Sequence, residues 1–266
     1  MVYHQDLIKQ GLLVPAPIGV ALSAMKVAEL KQILSELGLS NTGKKDALIE
    51  RIVTSTDSKT LEKYCPEKLY IPSEAACDFI RANQNYVLVH THKSNWGIDW
   101  HEFDANHKPG MSFYDVAWGI FNKRIIDSHN FGRNEYFNMY QLLMEEGKKD
   151  RAIKMLLQVF YLDLSGVCDH GGIRLYKEGI YTKKDLIEHY DIAIMFAPGI
   201  ITRIAELRDE YDDSIIDWLY EHKLPIQVCS KQLFRKIVHS IFDGTFDEEA
   251  ANEQLKRAYA KAINSL

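Results

Sequence analysis

The sequence predicts a mainly α-helical protein, in which a small N-terminal helix–extended–helix module precedes a larger helical domain with one short strand-containing region. Two observations support this fold class. Apolar residues recur at spacings of three and four over most of the chain after Ser112, and glycine or proline separates these segments at short intervals. Only residues 85–92, NYVLVHTH, form a continuous apolar and β-branched run that is typical of a strand.

Composition narrows the possible classes of protein. The 266 residues are 46% hydrophobic, enough to bury the core of one large or two modest domains. A formal net charge of −5 argues against a globally basic nucleic-acid binder but allows a local basic surface. The four cysteines include no C-x-x-C pair, so neither a zinc ribbon nor a disulfide framework is predicted. No signal peptide or membrane-length apolar run is recognisable, so we expect a cytoplasmic protein without a membrane partner or a cofactor.

The N-terminal region is predicted to contain an extended lead-in, residues 1–22, and a two-helix module, residues 23–54. The lead-in prediction rests on the prolines and glycines of GLLVPAPIGVALSA. In the module, a first apolar stripe ends before Gly38, which is expected to supply a left-handed C-terminal turn. A second stripe contains Leu48, Ile49 and Ile52. The two helices are expected to share one small core.

The turn between these helices has the residues of a phosphate-binding loop. If Thr42 caps the second helix, the amides of Gly43, Lys44 and Lys45 are left free at a helix N-terminus. Open N–H groups and the helix dipole favour an anion at that position, and two lysines lie beside it. The sequence therefore predicts a phosphate site in this loop.

Residues 25–54 resemble the SAP motif, a helix–extended–helix module, in the order V-x-x-L-K-x-x-L-x-x-x-G-L-x-x-x-G-x-K-x-x-L-I-x-R-I. The resemblance implies binding to double-stranded DNA, chiefly through its backbone and with a tendency towards A/T-rich duplex. The residues expected at the DNA are Lys31, Thr42, Gly43, Lys44, Lys45 and Arg51. The sequence departs from the motif where Met25–Lys26 replaces the usual Ser/Thr cap. With a local charge near +1, the module is expected to neutralise about 3–4 phosphates, weakly and with little sequence specificity.

The next segments are predicted to be a linker, residues 55–67, and a small α/β or winged connector, residues 68–111, with a histidine-rich loop. An H-x-H at a strand end places both imidazoles on one side of the strand, and nearby acidic residues could complete a divalent-metal site. The candidate ligands are His90, His92, Asp99 and His101. The favoured interpretation is instead a surface loop that Trp96 and Trp100 anchor on the helical body.

Residues 112–266 are predicted to form a helical domain. Ser112 is expected to cap its first helix, with Asp115 three residues later. Residues 134–166 resemble a single tetratricopeptide hairpin, with Gly147 in the turn and Ala152 where the helices approach. One such unit predicts antiparallel helix packing rather than a solenoid. An acidic stretch, residues 205–222, is expected to be a solvated surface that would favour a basic protein partner.

These features lead to one preferred function and two alternatives. The preferred function is a non-enzymatic DNA-binding or DNA-tethering protein whose helical body oligomerises or holds a protein partner. One alternative is a metal-dependent nuclease or phosphohydrolase that uses the histidine-rich site, and the other is a structural or protein-binding module without DNA binding. The whole arrangement also resembles SAP-domain proteins of Gram-positive bacteria and their prophages, which implies no particular activity.

Overall fold

The computed structural model describes residues 2–64, 69–128, 131–221 and 224–266. Within them the protein is mainly α-helical with one two-stranded sheet, so the predicted fold class is confirmed. The chain divides into two compact units, Met1–Val87 and Leu88–Leu266. No helix in the described part of the chain is long and apolar enough to cross a membrane.

The first unit contains short helices and the two-stranded sheet. Its elements are α1 (Val2–Lys9), β1 (Leu13–Pro15), α2 (Ile18–Ala24), α3 (Val27–Glu36), α4 (Lys45–Ser55), α5 (Ser58–Glu62), β2 (Tyr70–Pro72) and α6 (Glu74–Ala82). The strands are antiparallel, with Val14 opposite Ile71. The prediction that residues 1–22 are extended is therefore wrong for all but β1 and its flanks. The prolines that suggested an extended lead-in lie at the end of β1 and just before α2, where they are compatible with both elements.

The predicted linker, residues 55–67, also contains a helix. Asp57 caps α5 by accepting a hydrogen bond from the N–H of Thr60 at 3.0 Å. Leu61 of α5 is buried with the apolar residues of α2, α3 and α4, so α5 belongs to the core of the module. Residues 65–67 of the predicted linker lie outside the described residues.

The boundary between the units falls within α7 (Gln84–Trp96). The second unit then contains α8 (Trp100–Asn106), α9 (Phe113–Asp127), α10 (Arg133–Glu145), α11 (Lys149–Ser165), α12 (His170–Lys177), α13 (Lys183–Glu188), α14 (Tyr190–Ala193), α15 (Pro198–Glu206), a 3-10 turn (Arg208–Glu210), α16 (Ser214–Glu221), α17 (Lys231–Phe242) and α18 (Glu248–Asn264). Ser112 caps α9 in a reciprocal capping box with Asp115, as predicted.

Helices α10 and α11 form the predicted hairpin. Gly147 adopts a left-handed conformation (φ +73°) in the turn, and the N–H of Lys148 donates to the carbonyl of Leu143 at 2.8 Å. Helix α11 is buried on nearly all sides from Ala152 to Ser165, and it packs against α10, α14, α15 and α16. With twelve buried residues, it contributes more to the core of the second unit than any other described helix.

The predicted strand, residues 85–92, is wrong, because these residues belong to α7. The buried residues of α7 are Val89, His92 and Trp96, at spacings of three and four that are typical of a helical face. The periodicity was obscured because a polar residue, His92, occupies a core position. The Trp96 side chain is 2% exposed and packs in the core, whereas Trp100 is 53% exposed, and both residues belong to helices rather than to the predicted surface loop.

Candidate nucleic-acid interface

The module that carries the predicted phosphate loop is built on a small apolar core. Helices α3 and α4 each present one apolar face to it, and α2 and α5 cover its sides. The buried members of this core are Leu22, Leu30, Ile33, Leu34, Leu48, Ile52 and Leu61. Because the apolar faces are turned inwards, the charged faces of α3 and α4 and the loop between them are left at the surface.

Both ends of α3 are closed by local hydrogen bonds. The N–H of Lys26, the N-cap residue, donates to Glu29 Oε2 at 2.6 Å, which is the half of a capping box that does not require a Ser/Thr cap. At the other end, Gly38 is left-handed (φ +71°), and the N–H of Leu39 donates to the carbonyl of Leu34 at 2.8 Å. The predicted glycine turn is thus present, and it directs the chain into the loop that precedes α4.

The N-terminus of α4 has no side-chain cap. The N-cap residue is Lys44, so the prediction that Thr42 caps this helix is wrong. The Thr42 hydroxyl lies 3.1 Å from Ser40 Oγ, and the Thr42 carbonyl accepts a hydrogen bond from Arg51. The N–H groups of Lys45, Asp46 and Ala47 have no hydrogen-bond acceptor among the described residues. These open amides and the helix dipole make the start of α4 favourable for an anion.

Four cations belong to α3, α4 and the residue before α4, and they differ in their partners. Lys31 and Lys44 are exposed, and their ammonium groups have no hydrogen bond or ion pair with the described residues. Lys45 is half-buried, and its ammonium donates to the carbonyl of Ser23 at 2.6 Å, near the C-terminus of α2. One ammonium group carries three donors, so Lys45 retains two for a ligand. Arg51 is half-buried and donates to two carbonyls of the loop.

A chain of hydrogen bonds links the loop to the helix face that carries Lys31. Asn41 Nδ2 donates to Ser35 Oγ at 3.1 Å, and Ser35 Oγ donates to the carbonyl of Lys31 at 2.9 Å. Ser35 lies one turn after Lys31 on α3, so the loop residue Asn41 lies towards the face of α3 that carries Lys31. The predicted set of DNA-contacting residues lacked three residues that position it. The carbonyls of Ser23 and Ser40 accept hydrogen bonds from Lys45 and Arg51, and Asn41 links the loop to α3.

The electrostatic balance of this surface is only weakly positive. Between residues 21 and 56, five basic residues stand against four acidic ones: Lys26, Lys31, Lys44, Lys45 and Arg51 against Glu29, Glu36, Asp46 and Glu50. Glu29 is engaged at the start of α3, and Glu36 Oε1 accepts a hydrogen bond from Gln32 at 3.1 Å. Attraction for a phosphate backbone must therefore come from the local grouping of cations and amides rather than from net charge.

This combination of two short helices, an intervening extended loop and an uncapped second helix defines a small helix–extended–helix module. Residues 21–56 match the SAP domain family, so the chain contains a SAP domain near its N-terminus, as the sequence predicts. The match covers 36 of the 266 residues. A SAP domain indicates nucleic-acid binding in general. Searches of curated proteins and of solved structures gave no match for this chain.

The candidate metal ligands occupy a helical segment instead of a strand end. His90 is exposed on α7, whereas His92 is buried. Residues two positions apart in a helix are separated by about 200° around its axis, so these two side chains lie on opposite faces of α7. The His92 ring stacks on Trp96 with ring centroids 4.0 Å apart, and its Nε2 lies 3.2 Å from Glu145 Oε2.

The other two candidate ligands are engaged locally. Asp99 caps α8 by accepting from the N–H of Glu102 at 2.9 Å, and that hydrogen bond lowers the pKa of the Asp99 carboxyl. The His101 ring lies against Trp100, with ring centroids 3.5 Å apart. Among the residues that the structure describes, no three His, Cys, Asp or Glu side chains are placed to hold one metal ion.

The acidic stretch in the second unit is partly neutralised by α17. Lys231 Nζ and Arg235 Nη2 lie 2.8 and 2.9 Å from Asp217 Oδ1, and His239 Nε2 lies 2.9 Å from Asp213 Oδ1. Hydrogen bonds, chiefly from Lys231, lower the pKa of Asp217. Part of the predicted acidic surface thus stabilises the contact between α16 and α17 and is not free for a basic partner.

Proposed function

We propose that the protein binds duplex DNA through its SAP domain and acts as a DNA tether rather than as an enzyme. The observation that carries this proposal is that the SAP match covers a helix N-terminus that has no side-chain cap and carries Lys44 and Lys45. Lys31, Lys44 and Lys45 supply charge for the DNA backbone, while Thr42, Gly43 and Arg51 belong to the same surface. Contacts of this kind read phosphates rather than bases, so binding is largely independent of sequence.

The strength of this binding follows from the number of phosphates contacted. Three to four neutralised phosphates give a slope of log K against log salt of about −2.7 to −3.6. Binding of this kind is weak at physiological salt, and it suits a tether that is assisted by a second interaction. The preference for A/T-rich duplex that the SAP resemblance implies is part of the proposal, and parallel titrations with A/T-rich and G/C-rich duplexes of equal length test it.

The salt dependence of duplex binding by the full chain tests the tether. Lys44→Ala/Lys45→Ala is expected to reduce the magnitude of the salt slope by about 0.9–1.8, since one or two phosphate contacts are lost. The lower value applies if the bond of Lys45 to the Ser23 carbonyl keeps its ammonium away from DNA. Fluorescence anisotropy between about 20 and 200 mM salt covers the range in which such a slope is measurable.

A matched control is available in the second unit. Lys183 and Lys184 are also adjacent lysines at the start of a helix, α13, but Thr182 caps that helix by accepting from the N–H of Asp185 at 3.3 Å. Lys183→Ala/Lys184→Ala makes the same change in net charge and is expected to leave the slope unchanged. Equal slopes for the parent and Lys44→Ala/Lys45→Ala would refute the tether and favour a purely structural or protein-binding module.

For the helical unit we propose a role in self-association or in holding a protein partner. Large apolar side chains at its surface support this proposal, since Ile126, Ile180 and Ile192 are each at least 60% exposed. Sedimentation of the full chain at increasing concentration tests self-association. If the protein is a monomer at every concentration, self-association is refuted and only the proposal of a protein partner remains. The proposed setting is the cytoplasm of a Gram-positive bacterium, with the protein encoded by the bacterium or by its prophage. This part of the proposal rests on the sequence resemblance and is tested by locating the protein in its source cells.

A further inference from the structure

Arg51 makes two hydrogen bonds to the loop that precedes its own helix. Its Nη1 donates to the carbonyl of Ser40 and, at 3.0 Å, to the carbonyl of Thr42. The two protons of one guanidinium nitrogen are thereby both occupied. The side chain of a helical residue leans towards the N-terminus of its helix, which explains how Arg51 reaches back past the first turn of α4.

These bonds determine where the neighbouring amides point. All described peptide bonds of the loop are trans, so each N–H points opposite to the carbonyl of the preceding residue. The carbonyls of Ser40 and Thr42 face Arg51, and the N–H groups of Asn41 and Gly43 consequently face away from it. Neither N–H has an acceptor among the described residues. Arg51 thus directs two open donors outwards beside the open amides of α4.

The loop is also held from the opposite side. Asn41 Nδ2 donates to Ser35 Oγ on α3, so Asn41 is held to α3 while the flanking carbonyls are held to α4. Gly43 then adopts φ +129°, a backbone conformation that other residues rarely adopt, just before Lys44, the N-cap of α4. The loop is therefore in one defined conformation before any ligand binds.

We infer that Arg51 is a positioning residue, which orients the amides of Asn41 and Gly43 and the neighbouring Lys44 towards a DNA phosphate instead of binding the phosphate itself. This inference rests on the proposed DNA binding and assigns separate roles within the same surface. Lys31 and Lys44 supply charge, the loop amides supply direction, and Arg51 fixes the loop. Lysine is not expected to take over this role, because its side chain is one bond shorter and its ammonium group would not reach both carbonyls.

The first test concerns the free protein. In the full chain, Arg51→Lys and Arg51→Ala are both expected to lower the backbone order parameters of Asn41 and Gly43 from about 0.85, the value for a rigid backbone, to below about 0.6. Lys31→Gln removes a neighbouring cation that is not bonded to the loop, and it is expected to leave these values unchanged. Unchanged amide shifts of the buried residues Leu30 and Leu48 show that the module remains folded.

The second test concerns coupling at the duplex. If Arg51 acts through the loop, Arg51→Lys and Arg51→Ala weaken duplex binding equally, within about twofold. Arg51→Ala is also expected to weaken binding at least about fivefold in the parent but less than about twofold in the Lys44→Ala background, because both substitutions disable one phosphate site.

The opposite results would overturn the inference. If Arg51→Lys binds like the parent with rigid loop amides, while Arg51→Ala reduces the salt slope by about 0.9 additively with Lys44→Ala, Arg51 is itself a phosphate contact. A parent chain that does not bind duplex at all refutes the proposed function instead. In that case the order parameters alone decide whether Arg51 orients the loop, so the two failures are distinguishable.

Discussion

The ion pair between Arg133 of α10 and Asp163 of α11 gives a quantitative prediction about the second unit. Arg133 Nε donates to Asp163 Oδ1, and Arg133 Nη2 donates to Asp163 Oδ2 at 2.8 Å. The Asp163 side chain is fully buried, whereas that of Arg133 is 21% exposed. Arg133→Met keeps most of the apolar volume of the side chain but leaves a buried carboxylate without its partner. We expect the free energy of unfolding to fall by about 3–5 kcal/mol at neutral pH.

The loss is expected to depend on pH in a defined direction. Burial raises the pKa of Asp163 in the parent, and the ion pair with Arg133 opposes that rise. Without Arg133, the folded-state pKa rises further above the unfolded value of about 3.9. Between the two pKa values the folded variant binds more protons than the unfolded chain, so its stability falls as pH rises. The destabilisation is therefore smaller at pH 5 than at pH 7.5.

Tryptophan fluorescence during urea unfolding measures this effect in the relevant unit. All four tryptophans, Trp96, Trp100, Trp118 and Trp218, lie after Val87, so the signal reports the second unit alone. In the control, Arg133→Met/Asp163→Leu removes both charges and is expected to recover most of the lost stability. A cost below about 1 kcal/mol at pH 7.5, or an equal cost at both pH values, would show that Asp163 is not an unpaired buried carboxylate in the variant.

Three further substitutions test two glycine turns and one helix cap of the same unit. Gly166→Ala is expected to cost about 2–4 kcal/mol, because Gly166 has φ +93° and a Cβ would lie 2.8 Å from Val228 Cγ2. Gly147→Ala is its control in the same urea titration, since Gly147 has φ +73° with open space around it, and a cost as large as that of Gly166→Ala would contradict the steric argument. Ser112→Ala should cost about 1 kcal/mol at pH 7, because Ser112 Oγ accepts from the N–H of Asp115 at 3.2 Å. Hydrogen bonds from Ser112 lower the pKa of Asp115, because they favour its ionised form. The cost of Ser112→Ala should therefore shrink as pH falls through that lowered pKa and the carboxylate is protonated. A cost independent of pH would argue against the capping box.

The parts of the fold that follow from local sequence were predictable, and those that depend on tertiary contacts were not. The stripe of α3, with Gly38 beyond it, and the hairpin around Gly147 both rest on apolar spacing and one left-handed glycine. Helix α7 was predicted as a strand because its buried face includes His92, whose place in the core depends on Trp96 and Glu145. When a polar residue occupies a core position, the helical spacing of buried residues cannot be recognised as apolar spacing in a single sequence.

The candidate interface was predictable to a similar extent. Spacing placed Lys44 and Lys45 at one loop, Arg51 followed from the resemblance to the SAP motif, and the SAP match covers all three residues. The sequence did not show that Lys45 and Arg51 donate to backbone carbonyls. Every residue has a carbonyl oxygen, so the sequence does not indicate which of them accepts a hydrogen bond. The predicted cap at Thr42 failed for the same reason, because Arg51 fixes the carbonyl of Thr42 and α4 begins three residues later, at Lys45.

The burial of Leu22 and Leu61 has a consequence for moving the SAP domain into another protein. Both side chains are at most 1% exposed, yet they belong to α2 and α5, outside the two helices that define the motif. A graft limited to α3, α4 and their loop would expose to water the apolar surfaces of α3 and α4 that these leucines cover. Each buried leucine is worth about 1.5–3 kcal/mol, which a domain of this size cannot forgo. The smallest transplantable unit therefore runs from about Ile18 to Tyr64.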